Sequence, residues 1–243
     1  MTPAVTVAVC SHNGDATLRA ALDSIWAQRL ESRRYEVLLV DDGSIDATES
    51  LVAPYRSRPN FRYLKNEMNR GLAFSANRAL EEAAAPFFIR LDADDAFEPA
   101  ILAELLAPME AGVADIATCD RYELDLRTGD KRLVKLGSFN VFGLIACGVM
   151  MRRDMLREIG GYGNLFWEEY DLYIRYLTKS GRIPRHIPKP LLTYTLHPGS
   201  MTADHERVRA GWEEFLRKWP VEEASKFGKL PEAALQAARG GPL

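Results

Sequence analysis

The sequence predicts an α/β fold in which a parallel β-sheet is flanked by helices. Short apolar runs alternate with helical segments of roughly 10–15 residues, which is typical of βαβ units. Three of the first four predicted strands end in polar residues, and ligands of open parallel sheets bind beyond the carboxyl ends of the strands. We therefore expect these polar ends to lie together at one edge of the sheet.

The alternation is most regular in the first half of the chain. The apolar runs are rich in valine, leucine and phenylalanine, which are common in buried strands. Pro86 is expected to end the third helix, because proline cannot continue the helical hydrogen-bond ladder. Strands are predicted at residues 5–10, 35–40, 61–65 and 87–91, and helices at residues 18–28, 48–55 and 69–85.

The second half of the chain is less regular. Its three prolines at 184, 188 and 190 are expected to interrupt the chain before a last strand. The residues after 219 are interpreted as a loosely attached tail. The other predicted elements are a helix at 99–109, a strand at 116–119, a hairpin or loop at 121–136, a buried apolar segment at 142–151, a helix at 169–179, a strand at 191–196 and an amphipathic helix at 204–219.

The charge balance argues against a protein built mainly to bind nucleic acid. Lysine plus arginine number 31 against 34 for aspartate plus glutamate, a net charge of −3, whereas such proteins carry a basic excess. Cys10, Cys119 and Cys147 are widely spaced, which indicates a reduced intracellular protein. No secretory signal is recognisable, and the most apolar stretch, residues 139–151, is too short to span a bilayer. These features predict a cytoplasmic protein, and they are compatible with peripheral contact at the inner face of the membrane.

The acidic cluster Asp92-Ala93-Asp94-Asp95 directly follows a predicted strand. Three neighbouring carboxylates repel one another unless a cation neutralises them. Mg²⁺ and Mn²⁺ favour oxygen ligands, commonly one or two carboxylates together with substrate phosphates. The cluster alone also fits a solvated turn that caps the next helix. A calcium loop of the EF-hand type is excluded, because Phe97 stands where that loop needs glycine.

Three further polar segments are candidates for the same site. Asp41-Asp42-Gly43-Ser44 follows a strand, where a carboxylate can accept hydrogen bonds from a base or ribose. A carboxylate of Trp167-Glu168-Glu169-Tyr170-Asp171 could act as the general base toward an acceptor hydroxyl. The imidazole of His197 could complete a metal shell or contact a phosphate. Each segment also has a structural explanation. Residues 41–44 fit a tight turn, the acidic residues at 168–171 fit favourable charges in a first helical turn, and His197 fits a residue of a Pro/Gly loop.

Taken in order, these segments resemble the motifs of the family 2 glycosyltransferases. The resemblance covers residues 4–201, and seven weak motifs in the expected order are together specific. It implies the GT-A fold, with a Rossmann-like mixed, mostly parallel sheet, and an inverting glycosyltransferase. The motifs are Ser11-His12-Asn13, Val40-Asp41-Asp42-Gly43-Ser44, Asn69-Arg70-Gly71-Leu72, Leu91-Asp92-Ala93-Asp94-Asp95, Gly160-Gly161-Tyr162, Glu168-Glu169-Tyr170-Asp171-Leu172 and residues 197–200.

The resemblance also implies roles for individual residues. Asp94 would hold the Mg²⁺ or Mn²⁺ ion that bridges the diphosphate, and Asp95 could share it. Glu169 matches the position of the catalytic base, but this position is often aspartate in the family, so Glu168 and Asp171 remain alternatives. The residues expected to bind the nucleotide sugar are Cys10, Ser11, Asn13, Asp41, Asp42 and Asp92, and those expected at the metal are Asp94, Asp92 and His197.

Two departures from the family pattern concern the donor pocket. Ser11-His12 stand where the family often has proline and tyrosine, so stacking on the base could differ. Ala76 stands where an arginine is common, and Arg70 or Arg78 is an alternative source of that charge.

The resemblance implies a glycosyltransferase domain at residues 1–203 and a C-terminal helix and tail at 204–243. Within the domain, residues 1–95 would bind the nucleotide and 96–203 the acceptor. The first expectation is a UDP-sugar donor and a glycan or lipid-linked acceptor, in polysaccharide or glycoconjugate synthesis. A sugar nucleotidyltransferase is one alternative, although Gly14 is the lone glycine of the first loop. A non-catalytic nucleotide-sugar-binding protein is the other.

Overall fold

A computed structural model describes residues 2–239 and confirms the α/β fold class. The described residues form one nine-stranded sheet with helices packed against it. The strands are β1 (Val5–Ser11), β2 (Tyr35–Asp41), β3 (Phe61–Lys65), β4 (Phe87–Asp92), β5 (Ala96–Phe97), β6 (Ile116–Asp125), β7 (Lys131–Val134), β8 (Met150–Arg152) and β9 (Arg185–Leu196). The helices are α1 (Leu18–Trp26), α2 (Thr48–Val52), α3 (Leu72–Glu82), α4 (Ile101–Glu110), α5 (Arg153–Glu158), α6 (Glu168–Ser180), α7 (His205–Lys218), α8 (Val221–Ala224) and α9 (Glu232–Ala238).

The first four strands form the parallel part of the sheet, in the order β3-β2-β1-β4. β1 and β2 are buried along their whole length, as the continuous apolar runs predicted. Ser11 is opposite Asp41 across β1 and β2, and Cys10 is opposite Asp92 across β1 and β4. The register therefore places three polar strand ends side by side, as the sequence predicted.

The remaining strands make the sheet mixed, in the continuing order β4-β8-β6-β9-β5. β8 is antiparallel to both of its neighbours, and β6 runs parallel to β9. The predicted hairpin at 121–136 is confirmed, because β6 continues to Asp125 and pairs with β7. The apolar segment 142–151 is buried over much of its length, but only its end forms strand, in β8.

The prediction that prolines interrupt the chain before the last strand was wrong. β9 begins at Arg185 and includes Pro188 and Pro190. The pairing of β6 with β9 shifts register between Cys119 and Arg121, where Asp120 is paired with Pro190. Proline is tolerated at such an irregularity, because its missing N–H does not have to join the ladder there.

Two apolar cores lie on opposite faces of the sheet. One is built from α1 and α4, with side chains such as Leu22 and Leu105 against the sheet. The other contains α3, α6 and the C-terminal helices, with Leu80, Tyr173 and Phe215 among its buried residues. The helices therefore form two layers around the sheet, which holds the carboxyl ends of β1, β2 and β4 in fixed positions.

The interpretation of residues after 219 as a loosely attached tail was wrong for those that the structure describes. α8 and α9 pack into the second core, where Ala224, Leu230 and Ala234 are buried. Residues 240–243 lie outside the described part of the chain. Within residues 2–239, no helix is both long enough and apolar enough to cross a membrane.

Candidate active site at the carboxyl edge of the sheet

Asp41 ends β2 and is fully buried. Its carboxylate accepts hydrogen bonds from the Tyr63 hydroxyl at 2.5 Å and from the Ser44 backbone N–H at 2.8 Å. Burial raises the pKa of the Tyr63 hydroxyl, and the adjacent Asp41 raises it further. The hydroxyl therefore stays protonated and holds Asp41 at the floor of the predicted base pocket.

Asp42 organises the neighbouring loop. Its carboxylate accepts hydrogen bonds from the Asn66 amide at 2.6 Å and from the backbone N–H groups of Arg70 at 3.0 Å and Gly71 at 2.8 Å. Gly43 has a positive φ of 71°, and a Cβ there would meet the backbone of Met68 at 2.5 Å. Asp42 thus shapes the loop that contains the Asn69-Arg70-Gly71 motif, and its carboxylate is already occupied.

The first motif, Ser11-His12-Asn13, forms the adjacent wall of the predicted base pocket. Asn13, with a φ of 51°, accepts a hydrogen bond from the Ile45 N–H at 3.0 Å and so ties the loop after β1 to the loop after β2. Ser11 is 4% exposed, and its hydroxyl has no hydrogen-bond partner among residues 2–239. Burial raises the pKa of the Cys10 thiol to about 12, so this side chain is a neutral part of the wall.

The two candidate arginines differ in their surroundings. Arg78 donates to the backbone carbonyl of Lys65 at 2.8 Å and also to the Asn66 side chain, so it supports the end of β3. Arg70 is exposed, and its guanidinium lies 3.6 Å from the centre of the Phe74 ring. Arg70 is therefore the candidate whose charge is available to a ligand.

The acidic cluster forms a turn at the end of β4. The side chains of Asp92 and Asp94 are 26% and 34% exposed, and Oδ2 of Asp94 lies 2.9 Å from Nε2 of His197. The structure therefore brings His197 to the turn from a position 103 residues later in the chain. Both carboxylates are thus partly exposed, although Oδ1 of Asp92 is buried beside Arg90.

Asp95 is buried and serves as an anchor. Its carboxylate accepts hydrogen bonds from the backbone N–H of Thr195 and from the thiol of Cys147, both at 2.8 Å. Burial raises the pKa of Asp95 well above its usual value, and the charges of Asp92 and Asp94 add to the shift. Asp95 thus ties the acidic turn to β9 and to the segment before β8.

Asp92, Asp95 and Cys147 could also hold a metal ion, because one potential ligand atom of each lies within 4.8 Å of the others. Burial and the charge of Asp95 raise the pKa of the Cys147 thiol well above its usual value. A protonated thiol is a poor metal ligand. Hard divalent ions also prefer oxygen, which favours the partly exposed pair Asp92 and Asp94 over a cluster that needs the buried Asp95 and Cys147.

The three candidate bases at the start of α6 have different surroundings. Glu168 is paired with Arg90 at 2.8 Å. Asp171 accepts hydrogen bonds from Arg175 and Trp219 at 2.9 Å each and pairs with Lys218 at 2.6 Å.

Glu169 differs from both, because its carboxylate forms no ion pair with the described residues and is nine-tenths buried. Burial raises the pKa of Glu169 well above its usual value, and the charge of Glu168 raises it further. Of the three candidates, Glu169 has the surroundings that suit a base.

Other motif residues connect elements around the site. Asn77 of α3 donates to the carbonyl of Tyr162 and accepts from its N–H, both at 2.8 Å. This pair anchors the Gly160-Gly161-Tyr162 motif. Arg90 and Cys147 also contact the acidic turn, and neither was predicted from the sequence as a site residue. A lone arginine in the apolar run Phe87–Leu91 was the one available signal for Arg90.

Comparisons with known proteins agree with this architecture. The family model described as glycosyl transferase family 2 matches residues 6–160, more than half of the chain. The chain is 30% identical over 128 residues to the cholesterol galactosyltransferase of Borreliella burgdorferi, in an alignment that covers 53% of this chain and 35% of that protein. The chain thus spans about a third of this curated relative's length.

Two solved structures share the fold. The S. aureus protein TarS, residues 1–349 in complex with UDP-GlcNAc, has a TM-score of 0.72 at 21% identity, covering 96% of this chain and 70% of that one. The mannosyltransferase PcManGT from Pyrobaculum calidifontis, in complex with GDP-Man and Mn²⁺, has a TM-score of 0.68 at 20% identity, covering 98% and 69%. The chain therefore belongs to glycosyl transferase family 2 and has the GT-A fold of these structures.

Proposed function

We propose that this protein is an inverting, metal-dependent glycosyltransferase that moves a sugar from a nucleoside diphosphate donor to an acceptor hydroxyl. The observation that carries the proposal is that Arg90 connects two sets of carboxylates. One is the acidic turn with Asp92 and Asp94, and the other is the buried, unpaired carboxylate of Glu169 next to Glu168. A metal-binding turn beside a general base is what this transfer requires.

The proposed donor is a nucleotide sugar, with a UDP-sugar as the first choice. The base would lie against Cys10, Ser11 and Asp41, with Asn13 and Asp42 shaping the loops around it and Asp92 near the ribose. The buried hydroxyl of Ser11 has no partner among the described residues, so it is free to hydrogen-bond a ligand. The similar structures contain UDP-GlcNAc and GDP-Man, which supports a nucleotide-diphosphate sugar without choosing the base.

Asp94, Asp92 and His197 are the proposed ligands for Mg²⁺ or Mn²⁺. Two partly exposed carboxylates and a nearby imidazole form a donor set that suits a hard divalent ion. When bound, such an ion would stabilise the charge that builds up on the leaving diphosphate. The presence of Mn²⁺ with PcManGT supports this assignment.

Glu169 is the proposed general base. Its carboxylate would accept the proton of the acceptor hydroxyl while that oxygen attacks the anomeric carbon from the face opposite the diphosphate. The new C–O bond forms as the bond to the diphosphate breaks, so one displacement inverts the configuration. The raised pKa of Glu169 strengthens it as a base, provided that the pH is high enough to ionise it.

The division into a nucleotide half at 1–95 and an acceptor half at 96–203 is part of the proposal. The acceptor would be a glycan or a lipid-linked molecule. Among the described residues, the acceptor half supplies the mixed part of the sheet and the start of α6, which carries Glu169. An acceptor entering from this side would meet the base directly.

Donor binding is tested by thermal shift with UDP, GDP, UDP-GlcNAc and GDP-mannose, each with and without Mn²⁺. A ligand that binds the native state raises its melting temperature. We expect a Mn²⁺-dependent shift with one nucleotide series and its loss in Asp94→Ala. A shift that is independent of both Mn²⁺ and Asp94 would contradict the metal assignment.

Transfer is tested by the products released from the nucleotide sugar that binds. Nucleoside diphosphate release indicates glycosyl transfer. Formation of a nucleoside triphosphate and a sugar 1-phosphate on addition of pyrophosphate indicates a nucleotidyltransferase, and tight binding without either reaction indicates a non-catalytic protein. Glu169→Gln should keep nucleotide binding while turnover falls by roughly 10²–10⁴-fold. Full activity of Glu169→Gln would contradict the role of Glu169.

A further inference from the structure

Arg90 is a buried cation in an otherwise apolar strand. It lies in β4, two positions before Asp92, and is 2% exposed. Side chains alternate along a strand, so Arg90 and Asp92 point to the same face of the sheet. A guanidinium stays ionised in proteins, and burying it is costly unless anions surround it. The position of Arg90 therefore calls for a specific set of partners.

Two carboxylates from different elements neutralise this cation. Nε of Arg90 lies 2.8 Å from Oδ1 of Asp92, and Nη1 donates to Oε1 of Glu168 at 2.8 Å. The side chain of Glu168 is only 5% exposed, so the second contact is shielded from solvent. Asp92 ends a strand and Glu168 begins α6, so one planar guanidinium fixes the distance between the two elements.

We propose that Arg90 is a positioning residue that holds the acidic turn and the start of α6 in one geometry. This proposal rests on the proposed function, because Arg90 would act on donor binding through Asp92 and on the position of the base through Glu168. Glu169 directly follows Glu168, so the bridge sets where the base stands relative to the donor. Arg90 itself contacts neither reacting atom.

The bridge depends on the shape of the guanidinium as well as on its charge. Separate nitrogen atoms of Arg90 contact Asp92 and Glu168. Lysine carries a compact point charge and cannot reproduce this two-sided contact. Arg90→Lys would therefore keep a buried positive charge while losing the defined geometry.

A double-mutant cycle between Arg90 and Glu168 tests the bridge in the full chain. The substrate is UDP-GlcNAc or GDP-mannose, whichever the wild type consumes with Mn²⁺. Arg90→Met and Glu168→Gln should each lower turnover by roughly 10–100-fold, as groups that orient ligands do. Because both substitutions break the same bridge, the double variant should be no slower than the slower single variant. Losses that multiply in the double variant would overturn the proposal.

Two further measurements separate positioning from stability. Arg90→Lys should keep most of the wild-type melting temperature and still lose turnover. Arg90→Met should weaken binding of UDP or GDP with Mn²⁺ as well as turnover, because Asp92 loses its partner. Glu168→Gln should lower turnover while nucleotide affinity changes by less than about 2-fold. The proposal would be overturned if Arg90→Lys were fully active. It would also be overturned if Arg90→Met lowered the melting temperature and changed neither turnover nor nucleotide binding.

Glu36→Gln is the matched control for Glu168→Gln. Glu36 is also buried, at 8% exposed, and accepts a hydrogen bond from Thr6 at 2.6 Å near the opposite edge of the sheet. Its variant should retain wild-type turnover. The outcomes separate the two proposals. If Glu169→Gln is active while the losses from Arg90→Met and Glu168→Gln do not multiply, Glu169 is not the base but the role of Arg90 stands. If Glu169→Gln is inactive while those losses multiply, the role of Arg90 is rejected but Glu169 stands as the base.

Discussion

Glu169 shows what burial does to a single residue of the site. Its carboxylate is nine-tenths buried and forms no ion pair with the described residues. Burial and the charge of Glu168 therefore raise the pKa of Glu169 in the folded protein. The same surroundings that make Glu169 a stronger base make its ionised form unfavourable in the fold.

Replacing Glu169 should therefore stabilise the protein at neutral and higher pH. In the unfolded chain the carboxyl ionises near its ordinary pKa of 4.5, but in the fold it keeps its proton to higher pH. Wild-type stability thus falls as pH rises above 4.5 through the raised pKa, and Glu169→Gln lacks this loss. Melting temperatures at several pH values from acid to alkaline should show the variant gaining over the wild type as pH rises. A difference that does not change with pH would contradict the shifted pKa.

Asp95 and Asp94 show how neighbouring carboxylates take different roles. Asp95 is fixed by Thr195 and Cys147 inside the protein, whereas Asp94 remains partly exposed beside His197. The sequence left both open as metal ligands. Their burial separates them, because a buried and hydrogen-bonded carboxylate has little freedom to reach a metal at the surface of the turn.

At the scale of an element, α6 is fastened at its first turn to the end of α7. Asp171 has no exposed surface and binds Arg175 of its own helix as well as Lys218 and Trp219. Burial raises the pKa of Asp171, but the hydrogen bonds from Lys218 and Trp219 and the charge of Arg175 lower it below its usual value. Asp171 thus anchors the helix on which Glu169 stands.

Asp171→Asn should lower the free energy of unfolding by about 1.5–3 kcal/mol at neutral pH, the contribution expected of hydrogen bonds to a charged group. A lowered pKa contributes stability above the ordinary value of 3.8, and this is lost as pH falls through the folded-state pKa. Urea unfolding at neutral and at acid pH should therefore show the difference shrinking in acid. Trp219→Phe, which removes one of the bonds, should cost less than Asp171→Asn. A larger cost for Trp219→Phe would argue against Asp171 as the anchor.

At the scale of the whole molecule, the C-terminal helices complete the second core. Tyr170 of α6 is stacked on Trp212 of α7 with ring centres 5.6 Å apart, and Phe215 lies edge-on to Trp212. A Cβ at position 211 would come within 2.5 Å of the Phe166 side chain, so Gly211 allows the close approach of α7. Residues 204–239 therefore stabilise the part of the fold that carries the proposed base.

Phe215→Ala should lower the free energy of unfolding by about 3–5 kcal/mol, because it leaves a cavity in this core. Phe215 has no exposed surface, whereas Phe139 is 39% exposed and provides the matched control. Phe139→Ala should change the free energy of unfolding by about 0.5 kcal/mol or less. Equal losses in the two variants, measured by urea unfolding, would show that the C-terminal helices are not part of the cooperative core.

The regular first half of the fold could be predicted from local pattern. The apolar runs of β1, β2, β3 and β4 and the polar residues that follow them are local signals, and parallel pairing brings the strand ends to one edge. Irregular pairing limited the prediction of the second half. Pro188 and Pro190 lie in β9 because the register shift at Asp120 accommodates them, and a local pattern does not report such a shift.

The sequence by itself determined the fold class, the family and the list of charged residues from which the site is built. The tertiary structure alone decided which carboxylates are occupied: Asp171 by Lys218 and Trp219, and Glu168 by Arg90. The physical reason is that burial and pairing depend on residues far apart in the chain, such as Arg90 and Glu168, which are separated by 78 positions. No local pattern encodes those contacts. Because Glu168 and Asp171 are paired, Glu169 is the base candidate of this helix turn that has no ion-pair partner among the described residues.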